Sequence, residues 1–234
     1  SDMGSSSDGG INKSGSTFTV KSGFADKPVN FVSFWDSARF ANWLTNGQGS
    51  GSTETGMYDL TDSSAISNNT VTRQLDFSSG ENGVAVASEN EWYKAAYFDG
   101  NGSYFDYPTQ SNTAPTATGP NTTNPNSANF DNAVGTVTDV GGYTLADSHY
   151  GTFDQGGNVL EWNDAIVSTD NRGLRGGSFN GGGDNLEYSG RCVGGPTGEI
   201  DFVGFRVSSP SLAPIPEPSA YAAILGCLGL ALAV

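Results

Sequence analysis

Gly157-Asn158-Val159-Leu160-Glu161-Trp162 and, further along, Leu174-Arg175-Gly176-Gly177-Ser178-Phe179 are the stretches from which the architecture of this chain is read. Each is a short apolar run next to glycine, the pattern of a brief strand meeting a turn. In the first, strand alternation puts Val159 and Glu161 on one face and Leu160 and Trp162 on the other. Thr136-Val137-Thr138 and Phe202-Val203-Gly204-Phe205-Arg206-Val207 read as further strands. Earlier, residues 14–23 alternate enough for one strand, residues 84–87 form a shorter one, and Thr70-Val71-Thr72 is β-like.

Two helices precede this β-rich half. Ser33 is placed to cap the first, with Asp36 three positions on. Trp35, Ala38, Ala41 and Leu44 recur at helical spacing, and Gly47 stops the run. Ser88-Glu89-Asn90-Glu91 is a capping box that opens the second, with Trp92, Ala95 and Ala96 as its apolar stripe. Helices early and irregular strands late predict an α+β fold. Trp35, Trp92 and Trp162 each fall on an apolar face, so they are assigned to the core.

The chain has 234 residues and a formal net charge of −15. One domain of ordinary size fits that length. Such acidity argues against nucleic acid and anionic lipid as partners. Gly 33 and Pro 10 point to a loop-rich fold, while 11% aromatic residues argue against disorder. Charged residues make up 15%, so solubility rests on neutral polar groups. The two cysteines, Cys192 and Cys227, build no disulfide framework, and His149 alone rules out sites that need several histidines. The balance is that of a folded, acidic, extracellular domain.

Residues 101–132 form a long loop of Asn, Thr, Pro and Gly. A loop of that length needs something to hold it, and a metal ion is the leading candidate. Arg175 and Arg206 sit in apolar segments, so each is expected to pair with a carboxylate. Tyr104, Phe105, Tyr107, Tyr143, Tyr150 and Tyr188 lie among Gly, Ser and Asn, a composition of adaptable binding loops and equally of plain Gly-rich ones.

Five segments in order are similar to the sulfatase-modifying factor family, which includes the formylglycine-generating enzyme. They are residues 28–38 (PVNFVSFWDSA), residues 87–92 (ASENEW), the two opening stretches, and Gly204-Phe205-Arg206-Val207. The resemblance implies that family's C-type lectin-like fold, with two main helices, short antiparallel strands and little other regular structure. It also implies a further N-terminal strand region that this sequence does not carry. Calcium is implied at one or two sites. The first maps onto Asp154, Gly157, Val159 and Glu161, the acids supplying hard oxygens and the other two their carbonyls, a donor set that suits Ca²⁺. The second maps onto Asn129, the carbonyl of Phe130, and Asp131. The alternative is that these are simply solvated acids.

The family's chemistry does not transfer as readily. The copper enzyme uses two thiolates five positions apart to bind Cu(I), and here the partner position of Cys192 is Glu187. A carboxylate is too hard to replace a thiolate for Cu(I), so copper is not expected. The iron branch needs three histidines. Both known active sites are therefore read as absent, and Cys192 as a small, partly buried side chain.

Pro216-Glu217-Pro218 before the uncharged run at residues 220–234 resembles the PEP-CTERM sorting signal, which an exosortase processes to send a protein outside the cell. That divides the chain into a domain at 1–210, a Pro-rich linker at 211–219 and an apolar sorting or membrane segment at 220–234. The family's basic tail is not present, so the sequence is expected to be a fragment. Three functions follow: an exported, calcium-stabilised non-catalytic module at the cell surface or in the matrix; a formylglycine-type oxidase using Cys192; and a diversified ligand-binding protein whose variable positions fall within 178–204. Expected partners are an exopolysaccharide or protein ligand, and a second copy filling an open sheet edge to make an oligomer or filament.

Overall fold

Both predicted capping boxes form, and each starts one of the main helices. The computed structural model describes residues 2–120 and 123–210; the linker and the sorting segment at 211–234 lie outside the described residues. Helix α1 (Phe34–Thr45) opens where the Ser33 hydroxyl accepts from the Asp36 N–H and the Asp36 carboxylate accepts from the Ser33 N–H. It buries Phe34, Trp35, Ala38 and Ala41. A one-turn helix, α2 (Ser63–Ser67), follows. Helix α3 (Glu89–Tyr97) opens on the reciprocal pair of Ser88 and Glu91 and buries Trp92 and Ala96.

Among the described residues the strands are short and divide into four sheets. The hairpin β1 (Ile11–Ser14) and β2 (Thr17–Val20) stands apart. Residues 14–23 thus hold a turn and a return strand rather than one continuous strand, because Gly15 adopts a positive φ of 60° that reverses the chain. β3 (Ala85–Val86) pairs with the last strand, β10 (Val207–Ser208), and β4 (Thr116–Ala117) pairs in parallel with β5 (Ser127–Ala128). The main sheet has the order β8 (Cys192–Gly194), β7 (Asn171–Arg175), β6 (Leu160–Ser168), β9 (Val203–Phe205). The opening stretches meet here: Glu161 lies opposite Arg175 and Trp162 opposite Leu174.

The predicted alternation on β6 holds. Leu160 and Trp162 join the principal core with Phe34, Trp35 and Leu174, while Val159 packs with Val137 and Phe179 on the other side. The Trp162 indole donates to the Val32 carbonyl at 2.9 Å. Trp92 heads a satellite cluster with Ala96 and Tyr97. Burying an aromatic of this size gives roughly 2–3 kcal/mol, so the three buried tryptophans are large single contributors to a core whose many smaller burials together offset chain entropy.

Four expected strands differ. Residues 136–138 form none, because amide side chains take their backbone groups: Asn158 accepts from the Thr138 N–H at 2.9 Å, and Asn129 donates to the Thr136 carbonyl at 2.9 Å. The strand expected over 174–179 stops at Arg175, since Gly176 and Gly177 take φ of 101° and 74°. A Cβ on Gly176 would stand 2.8 Å from the Gln155 carbonyl, which makes glycine necessary there. The 202–207 stretch splits at Arg206 into two strands of different sheets. Thr70-Val71-Thr72 is not a strand either.

The long loop is held by its own side chains. The Asn126 amide nitrogen donates to Ser111 Oγ at 3.1 Å and the Thr113 carbonyl at 2.9 Å, and its oxygen accepts from Thr109 at 2.6 Å. Tyr143 ties the far end by donating to the Thr118 carbonyl at 2.6 Å. Asparagine staples therefore do much of the work assigned to a metal.

Candidate functional site

Glu161 is buried at the centre of the structure and carries three donors. Arg206 approaches with both Nε and Nη2, the latter at 2.6 Å from Oε1, and the Trp92 indole donates to Oε2 at 2.5 Å. Arg206 also donates to the Phe153 carbonyl at 3.2 Å. Burial works against the charge on Arg206, and Glu161 overrides it, so the guanidinium is held above its ordinary value. The expected pairing of Arg206 is thereby identified. Arg175 pairs likewise, with Glu89 at 2.7 Å, and its other nitrogen donates to the Tyr188 and Gly190 carbonyls.

Asp154, Asn158, Glu161 and Arg206 line one cavity of about 190 Å³, closed on the far side by Pro28, Val29 and Val140. Asp154 enters it from a positive φ of 58°. Burial pushes its carboxyl above the usual carboxylate range, against the Gly141 N–H at 2.6 Å and the neighbouring Arg206, which both lower it. Gly157 is fixed by contact: the Asn129 carbonyl lies 2.3 Å from where a Cβ would be.

The expected calcium donors divide into those that fit a cation and those already engaged. Asp154 fits, as a carboxylate that burial raises by more than the Gly141 N–H and Arg206 lower it. Asn129 fits, because its buried Oδ1 has no hydrogen-bond partner among the described residues. Glu161 is already engaged, with Arg206 and Trp92 on Oε2 and Arg206 on Oε1. The Phe130 carbonyl accepts from the Ala133 N–H at 3.0 Å, and Asp131 is exposed. Among the described residues no three His, Cys, Asp or Glu side chains gather to hold a metal. A cation here would therefore rely on backbone and amide oxygens, which Ca²⁺ accepts.

Cys192 lies at the sheet edge opposite Leu174, half-buried against the principal core. Its nearest polar contact is Asn185 Oδ1 at 3.7 Å. Burial pushes the thiol up, more than Arg175 lowers it. Glu187 ends the 3₁₀ turn at Gly183–Leu186, and its carbonyl accepts from Tyr97.

Sequence reasoning missed a second polar centre. Arg73 pairs with Glu91 at 2.7 Å and Asp164 at 2.6 Å and donates to the Val86 carbonyl. Arg172 is fully buried; it donates to Asn69, Asp164 and Val71 and lies 4.1 Å from the Phe34 ring centroid. The available signal was scarcity: with 10 basic residues in the chain, any arginine flanked by apolar positions merits a partner.

The model of the family described as sulfatase-modifying factor enzyme 1-like domain matches residues 6–209. No curated protein matches the chain. Among solved structures, Treponema denticola variable protein 1 is 21% identical with a TM-score of 0.55, over 80% of this chain and 72% of its own. CarF is 21% identical with a TM-score of 0.54, over 82% and 70%. PvdO from Pseudomonas aeruginosa is 15% identical with a TM-score of 0.49, over 86% and 68%. The first two likenesses are of fold: an α+β architecture of the formylglycine-generating type with little regular structure.

Proposed function

Because the chain belongs to the sulfatase-modifying factor enzyme 1-like family, we propose that it is an exported, non-catalytic binding or structural module of that fold, steadied by calcium. One observation carries the non-catalytic reading. Cys192 has Glu187 where the family's second copper thiolate stands, and its own thiol is pushed up by burial. A thiol above its ordinary value is a poor nucleophile and a poor ligand at neutral pH. A lone sulfur, with a carboxylate at the second ligand position of the sequence and an amide oxygen as its polar contact, does not make the soft two-coordinate site that Cu(I) selects.

Export is supported by the −15 charge and by the Pro216-Glu217-Pro218 motif before an apolar run. Calcium is supported by Asp154 and Asn129, the two donors left without sufficient partners. The test is oxygen uptake with a cysteine-containing peptide after loading with Cu(I). Neither the native chain nor Cys192→Ser should consume oxygen. Uptake by the native chain that Cys192→Ser abolishes would establish an oxidase instead.

A further inference from the structure

A run of aromatic rings extends outward from the Trp92 cluster, starting at Tyr93, whose ring packs on that cluster and lies 5.5 Å from the Arg175 guanidinium. Tyr93 contacts Tyr104 at 5.1 Å between centroids, Tyr104 contacts Phe98 at 5.6 Å, and Phe98 stacks on Tyr150 at 5.9 Å with 19° between planes. His149 closes the end, 5.8 Å from Phe98 and 5.2 Å from Tyr150. Three segments supply the rings, and each is held in place. Phe98 and Tyr104 face each other across a bridge, and Asp99 accepts from the N–H groups of Asn101 and Ser103 at 2.8 and 2.9 Å. The 148–152 loop closes on itself, with the Ser148 N–H donating to the Thr152 carbonyl at 2.9 Å. His149 sits against Gly100, where a Cβ would fall 2.4 Å from the imidazole.

Tyr104, Tyr150 and His149 are exposed, and Tyr93 and Phe98 behind them are half-buried. Tyr104 is 45% and Tyr150 50% exposed. Among the described residues, the hydroxyls of Tyr93, Tyr104 and Tyr150 and the His149 nitrogens have no hydrogen-bond partner. A ligand for such a strip must offer apolar faces to the rings and hydroxyls to their polar tips, which is the chemistry of a sugar ring. Charge narrows the class. A net charge of −15 disfavours an anionic chain. The Lys94 ammonium already holds the cation–π position on Phe98 at 5.6 Å, so a cationic ligand would meet a like charge.

We propose that the Tyr93–Tyr104–Phe98–Tyr150 strip, with His149, is a binding site for a neutral saccharide chain. This rests on the binding-module reading and locates the ligand site within it. The preformed rings lower the ordering cost of binding, as rigid aromatic contacts do elsewhere. Two exposed rings from different segments, Tyr104 and Tyr150, offer more than one stacking position, so affinity rises with oligomer length.

Native affinity electrophoresis tests this, with gels containing galactomannan, xyloglucan, dextran or alginate. At least one neutral polymer should retard the native chain, and a Tyr104→Ala/Tyr150→Ala variant should show at least tenfold weaker retardation at an unchanged melting temperature. Gly100→Ala, which displaces His149 without removing a ring, should weaken it as well. Retardation by alginate alone, by none of the polymers, or equally in the double variant would overturn the proposal. The oxygen-uptake assay is independent of this result: failure here with no oxidase activity removes the saccharide site and leaves the module reading, while oxidase activity removes the latter.

Discussion

Glu161 and Arg206 meet where the chain leaves one sheet for another. Glu161 is on β6, and Arg206 is the single residue between β9 in the main sheet and β10 in the pair with β3. Trp92 of α3 completes the joint through its indole. One buried carboxylate therefore locks two sheets and a helix together. Its value lies in geometry more than in net energy, since desolvating both charges offsets most of their attraction.

Breaking the pair from one side leaves a buried charge unpaired. Arg206→Met and Glu161→Gln should each lower unfolding free energy by about 3 kcal/mol. The double variant should recover at least about 1 kcal/mol relative to the worse single, because neither charge is then stranded. Urea unfolding midpoints at constant m-value check this. A double variant as unstable as the sum of the two singles would show that the groups are not coupled.

Arg172 is a different case, because its partners are carbonyls and rings. It donates to Asn69 Oδ1 at 2.6 Å and Val71 O at 2.7 Å and covers Phe34. A planar fork serves all of these at once, and an ammonium does not. Arg172→Lys should therefore destabilise by about 2–3 kcal/mol, the cost of unpaired buried acceptors plus lost stacking. Retention of the native melting temperature in Arg172→Lys would mean that charge alone matters there.

These two arginines show what the sequence can and cannot reveal. The capping boxes at Ser33 and Ser88, and the alternation of Val159 against Leu160 and Trp162, follow local rules of spacing, and they were legible. The partnership of Arg206 with a carboxylate was legible in kind, since an arginine in an apolar strand requires one. That the carboxylate is Glu161, itself expected to hold calcium, was not, because it depends on β9 lying parallel beside β6. The length of the loop at 101–132 points to a metal because propensity does not record that one asparagine, Asn126, can tie four backbone and side-chain groups at distances of 2.6 to 3.3 Å. Likewise Tyr104 and Tyr150 read in sequence only as aromatics of polar loops, and their joining with Phe98 into a strip depends on tertiary contact between the 98–104 turn and the 148–152 loop.

Arg73 serves two acids that respond oppositely to pH. Burial alone would raise Glu91, but hydrogen bonds from Arg73 and the Ser88 N–H hold it at about 2. Burial wins at Asp164, whose carboxyl is raised despite Arg73. A depressed carboxylate contributes stability that is present above its ordinary value of 4.5 and is lost as pH falls toward about 2. Glu91→Gln should therefore be less stable than the native chain at neutral pH, with the difference vanishing between pH 4.5 and 2. Thermal melts across that range test it. A difference that persists below pH 2 would place its cause in packing or capping rather than ionisation.

Asp154 reverses the sign. Its carboxyl is raised by burial, so the folded chain holds that proton more tightly than the unfolded chain. Stability from this group is full below the ordinary value of 3.8, falls as pH rises through the raised value, and stays reduced at neutral pH. A bound cation would offset that loss. In the native chain at pH 7, EGTA should therefore lower the melting temperature, with calcium at 100 times its dissociation constant restoring about 2.7 kcal/mol. Asp154→Asn should be more stable than the native chain in EGTA, match it below pH 4, and gain less from added calcium. If EGTA leaves the native melt unchanged while Asp154→Asn still stabilises, the carboxylate is an uncompensated buried acid and calcium has no part in holding this fold.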